Sequence, residues 1–170
     1  MKRKDSGFTM IELFITMALI SIMAAFAVPS FMDWLPKYKL KGATQDLFSN
    51  FQRAKITAIK QNTNCAVTFN KEDSTITGYI AYIDPNKNFI YDDTEESLFA
   101  INWEDHYEGY VACSEVNFAQ NDGGVPTLAF QPNGIPKDED GQGNGHVTLE
   151  NTKDENDKIY VIINVAGNIR

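Results

Sequence analysis

Five oxygen-bearing side chains recur at positions 1, 3, 5, 9 and 12 of the segment from Asp84 to Glu95: Asp84, Asn86, Asn88, Asp92 and Glu95. Hard oxygens at this spacing are what a calcium loop presents to its ion. Phe89, however, holds the sixth position, where such a loop turns sharply on glycine, and the flanks alternate like strands rather than helices. The same residues describe a polar hairpin with solubilising acids. That plainer reading is favoured, with calcium as an optional ligand and no cofactor required. Lys137–Gly145, also acidic and glycine-rich, reads as flexible.

Cys65 and Cys113 are the only thiols. Either they form a bridge, which by closing a loop of about 48 residues would stabilise by about 4 kcal/mol in the chain-entropy model, or they are two separate buried thiols. His106, within Glu104-Asp105-His106-Tyr107, and His146 are the only histidines, and neither has the companions of a nucleophile elbow or a zinc-protease helix. Cys113-Ser114-Glu115 has no recognisable base. Nothing here makes a positive case for an enzyme.

Glu12 is the one remaining charge in an unusual place. Lys2, Arg3 and Lys4 precede it, and from Leu13 to Met32 twenty consecutive residues carry no charge. As a helix, twenty residues span about 30 Å, the thickness of a bilayer's hydrocarbon core. Nine of the twenty are Leu, Ile, Phe or Val, favouring insertion by about 3 to 5 kcal/mol. The basic cluster predicts a cytoplasmic amino end with the remainder outward. A carboxylate at the head of such a run costs a few kcal/mol and so calls for a partner. Without one, Glu12 would be an interfacial charge reaching for the headgroups. Cleavage after Ala25-Phe26-Ala27 by a conventional signal peptidase is the competing reading of the segment.

Ser6-Gly7-Phe8-Thr9-Met10-Ile11-Glu12-Leu13 resembles the class III signal of type IV pilins and type II secretion pseudopilins. The resemblance implies that prepilin peptidase cuts between Gly7 and Phe8, that the Phe8 amine is methylated, and that the apolar helix is retained. It implies partners as well: other pilin or pseudopilin subunits, an inner-membrane assembly platform and membrane lipid. A freed α-amino group has an ordinary pKa near 7.7 and is largely charged. Glu12 would then meet the Phe8 amine of a neighbouring subunit, and a subunit docked at the wrong height would leave both charges unpaired. Pro29, near the end of the run, removes a helix hydrogen bond; the resemblance implies a kink or local melting there. The localisation implied is single-pass in the bacterial inner membrane with a periplasmic head, and a periplasmic or surface filament after assembly.

The elements that must position these residues follow from periodicity. Leu40, Ala43, Leu47, Phe51, Ala54 and Ala58 form one helical stripe, with Lys37, Lys39, Lys41, Arg53, Lys55 and Lys60 around it as a solvated face. Beyond Gln61 the period becomes two. Strands are expected at Cys65–Asn70, Thr75–Asp84, Leu98–Trp103, Gly109–Val116, Thr127–Gln131, His146–Glu150 and Lys158–Val165, between turn-rich segments. The fold class is therefore α+β: a long helix, transmembrane and then amphipathic, packed on an antiparallel sheet. The expected parts are a leader (1–7), an apolar helix (8–33), an amphipathic helix (34–61) and a β head (62–170).

Thr127–Gly134 and Gly167-Asn168-Ile169-Arg170 resemble the Phe-x-x-x-Gly strand and the closing strand of the GspH/FimT group of pseudopilins and minor pilins. In that group some members bind DNA through a Gly-Arg-x-Arg tip, of which only Arg170 is present here. Fifteen basic against 23 acidic residues give a net charge of −8, a balance that argues against displacing counterions from nucleic acid.

Overall fold

The computed structural model describes residues 8–92 and 94–170. Helix α1 (Met10–Gln61) runs 52 residues without a break, through both Pro29 and Pro36. The chain divides into two compact units, residues up to Leu35 and Pro36–Arg170. In the first unit every side chain from Phe8 to Trp34 is exposed, including an apolar window of mean hydropathy 2.3 with no part buried. Thr16 and Ser21 return their hydroxyls to the carbonyls of Leu13 and Met17 at 2.8 Å, so their polar atoms are satisfied within the helix.

In the second unit the helix changes character. Leu40, Ala43, Leu47, Phe51, Ala54 and Ala58 are all buried, because one side of this stretch packs on a sheet. The strands are β1 (Asn64–Glu72), β2 (Thr75–Asp84), β3 (Ser97–Asn102), β4 (Val111–Val116), β5 (Thr127–Phe130), β6 (Pro136–Lys137), β7 (Gly145–Asn151) and β8 (Asp154–Ile163), with the short helix α2 (Trp103–Tyr107) after β3. The sheet order is β6-β5-β1-β2-β4-β7-β8, with β3 also paired to β2, and every pairing is antiparallel. Phe51 lies at the centre of the core, its ring about 6.3 to 6.5 Å from those of Phe69, Phe118 and Phe130.

Two expectations are corrected and one strand is added. Trp103 is not the last residue of a strand: Asn102 caps α2 by accepting from the Glu104 and Asp105 amides at 2.9 and 3.3 Å. An asparagine followed by acids in the first turn is a helix start, and that signal was present in the sequence. β8 begins at Asp154 rather than Lys158, because Asn151 pairs with Asp154 in a tight hairpin. β6 was not anticipated; two residues are too short for a period to show.

Candidate assembly site

At the start of α1, Thr9 and Glu12 bond reciprocally. The Thr9 amide and hydroxyl donate to Glu12 Oε2 at 3.0 and 3.1 Å, and the Glu12 amide donates to Thr9 Oγ1 at 3.3 Å. The Thr9 carbonyl accepts from the Leu13 amide at 3.2 Å. This is a capping box, in which a threonine and a glutamate three residues on satisfy helix amides that have no partner in the first turn. The Thr-x-x-Glu spacing is the sequence signature of such a box. Phe8, at 90% exposure, lies beside this box with its side chain in the open. Gly7 lies outside the described residues. Pro29 does not end the helix, which continues on both sides of it.

A second constellation joins the far end of α1 to both edges of the sheet. After β8 the chain turns back, with Ile162 and Arg170 exchanging backbone hydrogen bonds at 2.9 and 3.0 Å, and this return brings Gly167 against the β5–β6 turn. Lys55 donates from Nζ to the Gly167 carbonyl at 2.7 Å. Gly167 and Gly134 both have positive φ, 73° and 77°. A Cβ on Gly167 would lie 2.4 Å from the Gly134 carbonyl oxygen and 3.2 Å from Lys55 Nζ. Only glycine fits, both for its backbone conformation and for the close approach. The two glycine motifs singled out in the sequence therefore meet, and Lys55, expected on a solvated face, is what ties them to the helix. Lys39 is likewise engaged, with Glu108 Oε1 at 3.1 Å. Arg53 lies over the Phe99 ring, 5.2 Å from its centre.

The structure does not bring Cys65 and Cys113 together. Cys65 faces Ile83 across β1 and β2, whereas Cys113 faces Ile76 across β2 and β4. Strand β2 lies between them and their registers differ by seven residues, which at about 3.3 Å per residue is more than 20 Å, far beyond disulfide reach. Both are free and buried, and burial is the main force pushing each thiol up to about 12. Of the two alternatives, the structure holds two separate thiols.

Most oxygens of the Asp84–Glu95 segment accept from the loop itself, whereas Glu95 Oε1 is buried with no hydrogen-bond partner among the described residues. Asp84 is fully buried and accepts from the amides of Lys87, Asn88 and Phe89 at 2.7, 3.2 and 3.4 Å. Asn86 accepts from the Asn88 amide and Asn88 from that of Ile90. Asp92 accepts from the amide and hydroxyl of Thr94, and Glu95 from the Asp92 amide. Among the described residues no group of three or more His, Cys, Asp or Glu side chains is arranged to hold a metal ion. Phe89 does adopt the left-handed turn conformation, with φ 60°, at a cost of about 1 kcal/mol. Its ring is buried with Ala66, Tyr82 and Ala129, and Asn121 donates to its carbonyl at 2.6 Å; this packing offsets the cost. Burial raises the pKa of Asp84 against those amides, and that of Glu95 beside it.

His146 is 3.4 Å from Glu115 and packs on Tyr160, while His106 packs on Tyr107. Arg170 is exposed and held through its backbone.

A capped apolar helix with an exposed flank, continuing as the spine of an antiparallel sheet, defines the class of pilin-like proteins. The chain is matched over residues 43–167 by the model of the type II transport protein GspH, and over residues 2–28 by that of the prokaryotic N-terminal methylation motif. The first match covers most of the chain, which therefore belongs to the GspH family. Among solved structures, the type IV minor pilin FimU of Pseudomonas aeruginosa aligns over 78% of this chain and 87% of its own, with 14% identity and a TM-score of 0.53. The minor pseudopilin EpsH of the Vibrio cholerae type 2 secretion system aligns over 78% and 94%, with 12% identity and a TM-score of 0.52. Both share the fold. The type IV major fimbrial protein FimA of Dichelobacter nodosus is 49% identical over 37 residues, 22% of this chain. The chain spans only 23% of that relative's length. Cleavage after Ala27, which would cut within the matched methylation motif, is not favoured.

Proposed function

We propose that the chain is a structural subunit, a minor pseudopilin or minor pilin, of a type II secretion pseudopilus or type IV pilus. Prepilin peptidase removes residues 1–7 and Phe8 becomes the methylated amino end. The helix 8–33 stores the subunit in the inner membrane, with the head in the periplasm, and later forms the filament core. The observation that carries this reading is the pairing of Glu12 with an apolar helix that is exposed along its whole first unit. Such a surface is stable only in lipid or against other helices. Glu12 then has two roles in sequence. In the lone subunit it caps its own helix through Thr9; in the filament it meets the Phe8 amine of the neighbour. Local melting at Pro29 during assembly belongs to the same proposal. No cofactor is needed, and neither calcium at Asp84–Glu95 nor DNA at Arg170 enters it.

Mass spectrometry of the processed chain is the direct test. The expected amino end is a methylated Phe8; an amino end at Val28 would overturn the reading.

A further inference from the structure

The two strands that end the sheet order are unlike: β6 has two residues and β8 has ten. One side of β8 pairs with β7. On its other side the C-terminal return covers only part of the strand. The Ile162 amide and carbonyl bond to Arg170, and the Asn164 amide, just past β8, donates to the Asn168 carbonyl at 3.1 Å. Backbone groups alternate in direction along an antiparallel strand. Those of Lys158 and Tyr160 therefore point the same way as those of Ile162, off the edge of the sheet. Two contacts on the far side of β7 fix this phase. The carbonyls of His146 and Thr148, opposite Ile162 and Tyr160, turn away from β8 to accept from the Asn117 amide at 2.9 Å and the Ser114 hydroxyl at 3.5 Å. Among the described residues, the outward backbone groups of Lys158 and Tyr160 have no partner.

Such a row of open donors and acceptors is a template for another strand, and edges are commonly blunted by a lysine. Here the lysine is drawn aside, because Lys158 Nζ lies 2.8 Å from Glu150 Oε2 on β7. The rest of the β7–β8 hairpin is anionic, with Asp154, Glu155 and Asp157 against Lys153. The return shows what this edge accepts. Ile169, opposite Ile163, turns to the core face and is 8% exposed, whereas Arg170, opposite Ile162, is exposed.

We propose that the Lys158–Tyr160 edge is a docking site for an extended basic strand of a different polypeptide, added antiparallel in line with the return. Main-chain hydrogen bonds to Lys158 and Tyr160 supply affinity. Apolar side chains of the added strand alternate to the core face beside Ile159, which already packs against the core. Its cations lie on the outer face beside the anionic hairpin and set specificity. A second copy is a poor occupant, because its own β8 would bring one anionic hairpin against another. The inference stands on the sheet edge and goes beyond the filament reading without depending on it.

The experiment titrates the full chain in detergent with a fluorescent Gly-Arg-Ile-Arg-Val-Arg-Gly peptide, read by anisotropy and by residue-resolved amide exchange. The expected result is saturable binding with slowed exchange at the Lys158 and Tyr160 amides. Methylating the main-chain nitrogens of the peptide's arginines keeps its charge but removes the donors, and should weaken binding about tenfold or more. The acidic counterpart, Gly-Glu-Ile-Glu-Val-Glu-Gly, should not bind. Tyr160→Pro deletes one outward N–H at a position where an edge strand tolerates proline, and should abolish binding at an unchanged melting temperature. Should that variant not fold, the methylated peptide on the parental chain decides. Equal binding of the methylated peptide would mean attraction by charge alone and overturns the strand addition. Equal binding of the acidic peptide, protection only at other amides, or no binding at millimolar peptide overturns it as well. None of these results alters the amino end found by mass spectrometry, so failure here leaves the filament reading standing.

Discussion

Up to Leu35, α1 exposes every described side chain save Leu35 itself, which is only half-buried, whereas from Pro36 to Gln61 the same helix buries a stripe of six apolar residues and exposes Lys37, Lys41, Arg53 and Lys60. Both halves are helical and both are rich in apolar side chains. The first is apolar on all sides, so its partner must surround it; lipid or a bundle of like helices does so. The second is apolar on one side, so a sheet from its own chain is enough. The difference shows that a single helix can serve two environments by changing the angular distribution of its side chains, not its propensity. It also separates two kinds of stability: the head holds itself together, while the apolar half is held by what it is placed in.

The largest expected effect tests that separation. Glu12→Leu should abolish filament incorporation in a cross-linking or shear-release assay while the melting temperature of the head stays within a degree or so. Glu12→Gln sharpens the test, because the amide still accepts from Thr9 and preserves the capping box but carries no charge. Assembly by the Gln variant at the parental level would assign Glu12 to capping alone; loss in both variants assigns it to the charge.

Gly167→Ala attacks the other side of the comparison. A methyl 2.4 Å from the Gly134 carbonyl, on a residue with positive φ, should cost about 2 to 3 kcal/mol and lower the melting temperature by about 5 to 10 °C. Processing at Gly7 should be unaffected. A melting temperature unchanged from the parent would mean that the C-terminal return does not close the head.

Thiol labelling gives a smaller but sharper readout. In the native chain Cys65 and Cys113 should resist a maleimide, and in denaturant without reductant both should react. Absence of labelling in denaturant would restore the bridge that the strand order rules out.

The weakest effect concerns Asp84. Its folded pKa lies above the unfolded value, so the native state holds its proton more tightly. The stability tied to that proton is fully present below the unfolded pKa, about 3.9, and is lost as pH rises through the folded value. Asp84→Asn should flatten this part of the stability profile above the unfolded carboxylate pKa, as read by melting temperature against pH. Millimolar calcium or a chelator should leave the parental melting temperature unchanged, because the loop's own amides engage Asp84, Asn86, Asn88 and Asp92; a rise with calcium would return those oxygens to a ligand role.

Much was legible without coordinates. The apolar run, the stripe from Leu40 to Ala58 and the alternation of seven strands are one-dimensional patterns, because helix and strand periods impose themselves on neighbouring residues. Even the cap of α2 and the Thr9–Glu12 box were written locally, between residues two or three positions apart. Distances between segments remote in sequence were not legible. Whether Cys65 could reach Cys113 depended on strand order, and strand order depends on which edges find partners, not on any local period. Lys55 looked like its solvated neighbours until the C-terminal return put the Gly167 carbonyl 2.7 Å away. The calcium-like spacing of Asp84 to Glu95 fixed which oxygens were near one another but not where their lone pairs point; the backbone fold, with Phe89 anchored in the core, turned them onto amides. The sequence by itself determined where apolar surface and charge lie along the chain. Tertiary structure alone decided which of those groups meet, because contact is a property of three-dimensional closure and is set by the competition among all segments for one core.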